Sequence, residues 1–355
     1  ASIKTKSLSP SLSPRRVTAK AMDHAMEKVK KKRGQDRNVT TPTHSSRRRR
    51  RMLSSLRHRI ALASVSAYSL THSSRPYRAR TARSSLVHRR AMATKETGAM
   101  TPGDTAVADV SKDGAFVRKD AIFRNRITPD GEYTPESGRY HLYVSYACPW
   151  ACRVLSLLHL KGLTEHITVS SVHPTWQRTR PNDPDDQHAG WCFLGEDGAS
   201  ISGPSGVGSF PGGPSHACTP DDLFGSVFVR DLYDRAMDGA AKGTRFTVPI
   251  LWCKKTDTIV SNESSEIIRD LNSQFNDIAG DKTLDLYPVK LRPAIDEVNE
   301  WVYHGINNGV YKCGFATSQG AYDTAVTELF RCLDKCEEIL GRQRYIAGDA
   351  LTEAD

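Results

Sequence analysis

Residues 143–153, YVSYACPWACR, place the thiol of Cys148 where a strand-like stretch passes into a helix-like one. A helix N-terminus carries partial positive charge and free N–H donors, and both stabilise a thiolate. Pro149 suits the first helical turn, where a missing N–H costs nothing. Ala151 stands where a dithiol motif would have its second cysteine. The pattern is therefore monothiol, which favours mixed-disulfide chemistry with a small thiol over dithiol exchange. The competing reading is a buried cysteine that packs as a small hydrophobe.

The elements around the thiol form a recognisable order. Residues 140–145 (YHLYVS) are aromatic and β-branched and predict a strand. Residues 151–161 predict a helix that stops at Gly162, and 167–172 (ITVSSV) a second strand. Strand, helix and strand in about thirty residues make a βαβ unit with parallel strands. Residues 195–220 are dense in Gly, Pro and Ser and predict a long loop insertion. A helix is expected over 223–237, then a proline-interrupted strand over 246–252. A short strand over 258–261 and a helix over 263–275 follow, with Asn262 as N-cap. From Pro288 the pattern turns helical, with helices expected over 289–306 and 321–340. Thr352 to Asp355 opens like a capping box, so a further helix is expected to begin there and the chain reads as C-terminally truncated.

Charge divides the 355 residues sharply. Residues 1–95 carry 25 Lys and Arg against 3 Asp and Glu, whereas residues 96–355 carry 25 against 37. The overall +10 therefore comes from a basic leader, and the folding part is acidic, which argues against a nucleic-acid-binding body. The stretch from Met52 to Lys95 is Ser-rich and free of acidic residues. It reads as an organellar transit peptide, chloroplast or mitochondrial, that starts at Met52. The rivals are a basic disordered arm and a cytoplasmic protein. No run of about 18 apolar residues exists, so no transmembrane helix is expected. The 8 cysteines are scattered and lack zinc-like spacing, which suits a reducing compartment and no metal.

Four stretches carry a resemblance: GRYHLYVSYACPWACR (138–153), TVPILWCKKTDTIVSNESSEIIRDLN (247–272), LYPVKLRPAIDEVNEWVYHGINNGVYKCGFATSQGAY (286–322) and RYIAGDALTEAD (344–355). They resemble the glutathione transferase superfamily, and more narrowly its xi class, the glutathionyl-hydroquinone reductases. The resemblance implies an α/β thioredoxin-like domain over 138–283, followed by the start of an all-α C-terminal domain over 284–355. Before these lie the basic leader, 1–95, and an irregular extension, 96–137. The implied partners are glutathione as co-substrate, a glutathionyl-hydroquinone, and a second copy of the chain in a homodimer, with no nucleic acid and no membrane.

The resemblance also implies roles. Cys148 would attack the sulfur of the glutathionyl-hydroquinone, release the hydroquinone and keep glutathione as a mixed disulfide that a second glutathione resolves. Glu263 and Ser264 would hold the γ-glutamyl end: a carboxylate for the ammonium, and a hydroxyl with helix-terminal N–H groups for the carboxylate. Val248, ahead of an expected cis Pro249, would pair with the cysteinyl backbone as an added strand does. Trp191 would line the glutathione pocket, Tyr311 would meet the hydroquinone oxygen, and Arg245 is a further pocket candidate. Each has a plainer reading: helix-terminal chemistry for Glu263 and Ser264, an edge-strand proline for Pro249, core packing for Trp191 and Tyr311. Cys152 stands where the class usually has His. It either forms a strained disulfide with Cys148 under oxidation or is buried, and burial is the favoured expectation. Other cysteine-type activities, on dehydroascorbate or protein mixed disulfides, remain rivals, as does a non-catalytic binding protein on the same fold.

Overall fold

The structure is a computed structural model, and it describes residues 109–203, 208–239 and 244–355. The basic leader, the transit-peptide reading and residues 96–108 of the extension lie outside the described residues. The scaffold of the site is a four-stranded sheet. Its strands are β3 (Tyr140–Val144), β4 (Ile167–Ser171), β9 (Ile250–Cys253) and β10 (Thr258–Ser261), in the order β10-β9-β3-β4. β3 and β4 are parallel, as the βαβ reading requires, and β9 is antiparallel to both β3 and β10. β3 is buried along its whole length because neighbours flank it on both edges and it is covered on both faces.

α1 (Pro149–Leu160) connects β3 to β4, with Pro149 in its first turn. Its buried residues Trp150, Val154, Leu155, Leu157 and Leu158 recur at helical spacing. The helix ends in a Schellman motif, in which Gly162 N–H bonds to the His159 carbonyl and Leu163 N–H to the Leu158 carbonyl. Gly162 stands at φ 64°, and a Cβ there would meet the Cα of Gly280 at 3.0 Å. α3 (Ser264–Ser273) packs against α1. Ile267 and Leu271 join Val154 and Leu158 in the core, each such side chain worth about 1.5–3 kcal/mol when buried.

Between β4 and β9 the chain departs from its sequence reading. The expected helix over 223–237 shortens to α2 (Val229–Ala236). Residues 221–228 instead wrap around the Asp221 carboxylate, which accepts from Leu223 N–H, Ser226 N–H and the Tyr143 hydroxyl. Gly225, at φ 68°, completes the turn. β5 (Trp176–Arg178) pairs antiparallel with β6 (Ala189–Trp191). The insertion carries a short hairpin, β7 (Ser200–Ile201) with β8 (Phe210–Pro211), where only a loop was expected. The strand expected over 246–252 begins at Ile250, after a cis Val248–Pro249 bond.

The second half is helical. α4 (Arg292–Val302) runs into one π-helical turn, Tyr303–Asn307, and then α5 (Asn308–Gly314), where one helix over 289–306 was expected. α6 (Gln319–Arg342) packs against that turn, and Gly305 allows the approach: a Cβ there would lie 2.3 Å from the Cys332 Sγ. A π-turn re-phases the side chains that follow it, and here Tyr303 and Tyr311 both reach one cleft.

Residues 109–127 have little regular structure beyond β1 (Asp109–Val110) and β2 (Phe116–Val117), but they are firmly held. Asn125 N–H bonds to the Val260 carbonyl, and Phe123 N–H to the Asn262 side chain. Arg126 Nη2 reaches Asp270 at 2.5 Å, and Ile127 N–H donates to the same carboxylate. At the other end Thr317 N–H bonds to the Gly114 carbonyl, and Ser318 donates to the Asp113 carbonyl. The extension thus ties the sheet to the helices.

Candidate functional site

All eight residues singled out from sequence, Cys148, Trp191, Arg245, Val248, Pro249, Glu263, Ser264 and Tyr311, line one cleft. The cleft has two chemically different arms that meet at Cys148.

Cys148 is the N-cap of α1, in extended conformation, and is buried. Its thiol donates to the Val248 carbonyl at 3.4 Å. Burial pushes this thiol up from the ordinary cysteine value. The N–H groups of Ala151 and Trp150 and the guanidinium of Arg118 pull the other way, and the neighbouring Cys152 adds to the rise. The helix terminus acts in the expected direction through these N–H groups, and desolvation outweighs it. Cys152 is only half-buried, beside the carbonyls of Tyr146 and Ser145, and both cysteines are free thiols. The burial expected for Cys152 is not what the fold provides, because its position on α1 faces the open side of the turn before the helix.

The polar arm starts at α3. Glu263 is its N-cap, correcting Asn262, whose amide instead donates to the Tyr233 hydroxyl at 2.8 Å. Glu263 Oε1 accepts from the Ser265 N–H at 3.0 Å and the Ser265 hydroxyl at 2.8 Å. Ser264 is buried, and its oxygen accepts two N–H bonds from Arg153, at 3.1 and 2.7 Å. A serine hydroxyl has two lone pairs and one proton. Arg153 is the donor in both bonds, so the serine proton is left to donate to an acceptor. Arg153 Nη2 also lies 3.8 Å from Glu263 Oε1. An ammonium acceptor and a carboxylate donor thus stand side by side. Trp176 and Trp191, edge to face at 5.5 Å, also line the cleft. Arg245 borders it too, but its guanidinium pairs with Asp109 through two nitrogens.

The second arm is aromatic. Trp150 lies 5.8 Å from Tyr303 and 6.2 Å from Tyr311, measured between ring centres, and Tyr311 stacks on Phe315 at 6.1 Å. The Tyr311 hydroxyl is pushed up to about 12, chiefly by burial and then by negative charge at Cys148, while Arg118 and the Trp150 indole act against the rise. It is a hydrogen-bond donor through the whole neutral range. Such an arm suits a flat ring with a polar edge. Among the described residues no group of three or more His, Cys, Asp or Glu is placed to hold a metal ion.

Sequence reasoning missed Arg118, Arg153, Trp150, Tyr303 and Phe315. Trp150 and Arg153 lay within the thiol motif, and their closeness to Cys148 in the chain was the available signal. Arg118 and Phe315 lay in stretches without periodicity, and nothing local marked them.

The chain is similar to known proteins in sequence and fold. The family model described as "Glutathione S-transferase, N-terminal domain" matches residues 147–274. Glutathionyl-hydroquinone reductase YqjG of Escherichia coli is 46% identical over 260 residues, covering 71% of this chain and 70% of that protein. The xi glutathione transferase of Phanerochaete chrysosporium is 48% identical, with a TM-score of 0.57, over 67% of this chain and 72% of that one. This chain belongs to the xi class of glutathione transferases. The glutathione-bound structure of YqjG is similar to this xi-class chain at a TM-score of 0.55 and 44% identity, over 66% of this chain and 68% of that one. Glutathionyl-hydroquinone reductase PcpF of Sphingobium chlorophenolicum is 42% identical, covering 69% of this chain and 67% of that protein. The thioredoxin-like fold followed by a helical unit is that of the class, and glutathione is the co-substrate such an arrangement is built to hold.

Proposed function

We propose that this chain is a glutathione-dependent reductase that removes glutathione from glutathionyl-hydroquinones, with Cys148 as nucleophile. One observation carries the reading: the buried thiol lies where a polar arm made for an amino acid's charged end meets an aromatic arm made for a flat ring. Glutathionyl-hydroquinones have those two parts joined through sulfur. The names of the two reductase relatives support the same reading.

The steps follow from the residues. Ser264 and Glu263 hold the γ-glutamyl end, and the Val248 backbone, ahead of Pro249, aligns the cysteinyl part. The Cys148 thiolate attacks the glutathionyl sulfur, forming the S–S bond while the carbon–sulfur bond breaks. The electron pair passes to the ring, which gains a proton and leaves as the hydroquinone. Tyr311 donates to a ring oxygen during departure. A second glutathione attacks the mixed disulfide, regenerates the Cys148 thiolate and leaves as glutathione disulfide.

Intact-mass measurement after brief incubation with a glutathionyl-hydroquinone tests the reading. One glutathione adduct, mapped to Cys148, is expected. Turnover of dehydroascorbate with no consumption of the glutathionyl-hydroquinone would overturn it. A homodimer and an organellar address belong to the same proposal, the latter supported by the acid-free stretch 52–95. Sedimentation of the full chain and N-terminal sequencing of the native protein test these two.

A further inference from the structure

Four cations lie in or against the cleft, and three are committed to carboxylates or hydroxyls. Lys119 and Arg245 both pair with Asp109. Arg153 bonds to Ser264 and lies near Glu263. Arg118 differs: among the described residues its contacts are two aromatic faces. Its guanidinium carbon lies 4.9 Å from the Trp150 ring centre and 5.3 Å from that of Tyr311. Arg118 follows β2 directly, and Phe116 of that strand packs on Phe315 at 5.8 Å and on Tyr311 at 6.0 Å. The backbone that carries the cation is therefore anchored to the aromatic arm. An arginine stacked on rings is fixed in place while its five N–H donors remain available to an oxygen.

The ring half of the reaction develops charge on oxygen. A hydroxyl proton of the bound hydroquinone shifts to the ring carbon that carries sulfur, making a ketone. Cys148 then takes the sulfur, the carbon–sulfur pair becomes a ring double bond, and the former carbonyl oxygen becomes a phenolate that water protonates. The glutathionyl sulfur is oxidised to a disulfide and the ring is reduced by the same electron pair. The geometry points to Arg118 as a catalytic residue that binds the hydroquinone oxygen and stabilises this phenolate, beside Tyr311. The assignment rests on the reductase reading above. Donors aimed at a developing oxyanion typically contribute about 100–1,000-fold in rate.

Single-turnover kinetics on Arg118→Gln and Arg118→Lys test it. Hydroquinone release should slow about 100-fold in Arg118→Gln, and Arg118→Lys should recover part of the loss. Substrates with electron-withdrawing ring substituents, whose phenolates need less help, should lose less. The second half-reaction, glutathione attacking a Cys148 mixed disulfide preformed with oxidised glutathione, should slow far less than release, by no more than the small pull that Arg118 exerts on the departing Cys148 thiolate. Unchanged release in Arg118→Gln, or a parallel fall in both half-reactions, overturns the assignment. Failure of the unsubstituted protein to release hydroquinone overturns the reductase reading and the assignment with it, a result distinct from both.

Discussion

The Cys148 thiol meets the Val248 carbonyl at 3.4 Å and so joins the start of α1 to the segment two residues before β9. A donor bond to a carbonyl favours the protonated thiol, and burial acts in the same direction. A raised thiol holds less thiolate at neutral pH, and its thiolate fraction grows as pH rises. Alkylation of Cys148 by iodoacetamide should therefore keep accelerating beyond the ordinary cysteine value of about 8.5. A plateau below pH 7 would contradict this.

Cys148→Ser should abolish turnover and adduct formation while glutathione affinity stays within about twofold, because the γ-glutamyl contacts lie on α3. Calorimetric titration of glutathione alongside the activity assay separates the two effects. Retained turnover would mean that another group is the nucleophile.

Ser264→Ala removes both acceptor contacts of Arg153 and the proton left for a carboxylate. A hydrogen bond to a charged group is worth about 1.5–3 kcal/mol, so the KM for glutathione should rise at least tenfold. The kcat at saturating glutathione should move far less, since serine touches no reacting atom in the proposed steps.

Tyr311→Phe keeps the ring stack and deletes only the donor. The hydroxyl value of about 12 keeps this tyrosine protonated between pH 6 and 10. The substitution should lower kcat for a glutathionyl-hydroquinone about tenfold or more without reshaping the pH profile in that window. A new limb in the profile would show that Tyr311 titrates there.

Asp270→Ala should loosen the N-terminal extension. The buried carboxylate holds Arg126 at 2.5 Å and Ile127 N–H at 2.9 Å. Arg126 is partly exposed, which reduces its share, so the loss should be about 2 kcal/mol. Chemical denaturation measures it, and proteolysis near residue 118 should speed up together with the loss of stability.

Much of the thioredoxin-like half was legible because its elements obey local rules. Proline in the first turn, glycine after the last, and alternating or helical apolar spacing fix α1, β3, β4 and β10 within a few residues. The helix expected at 223–237 does not begin until Val229, because Asp221 offers its backbone neighbours a competing acceptor and Gly225 takes a left-handed turn. The π-turn at Tyr303–Asn307 was equally hidden, since it depends on how closely α6 approaches Gly305.

The sequence by itself determined the thiol, its monothiol setting and the polar pair at the start of α3, because each belongs to a short segment with its own chemistry. Tertiary structure alone decided the protonation tendency of Cys148 and the company of Arg118. Desolvation depends on what is packed over the thiol, and the distances from Arg118 to Trp150 and Tyr311 depend on three segments far apart in the chain. No local pattern encodes a quantity that is created only when those segments meet.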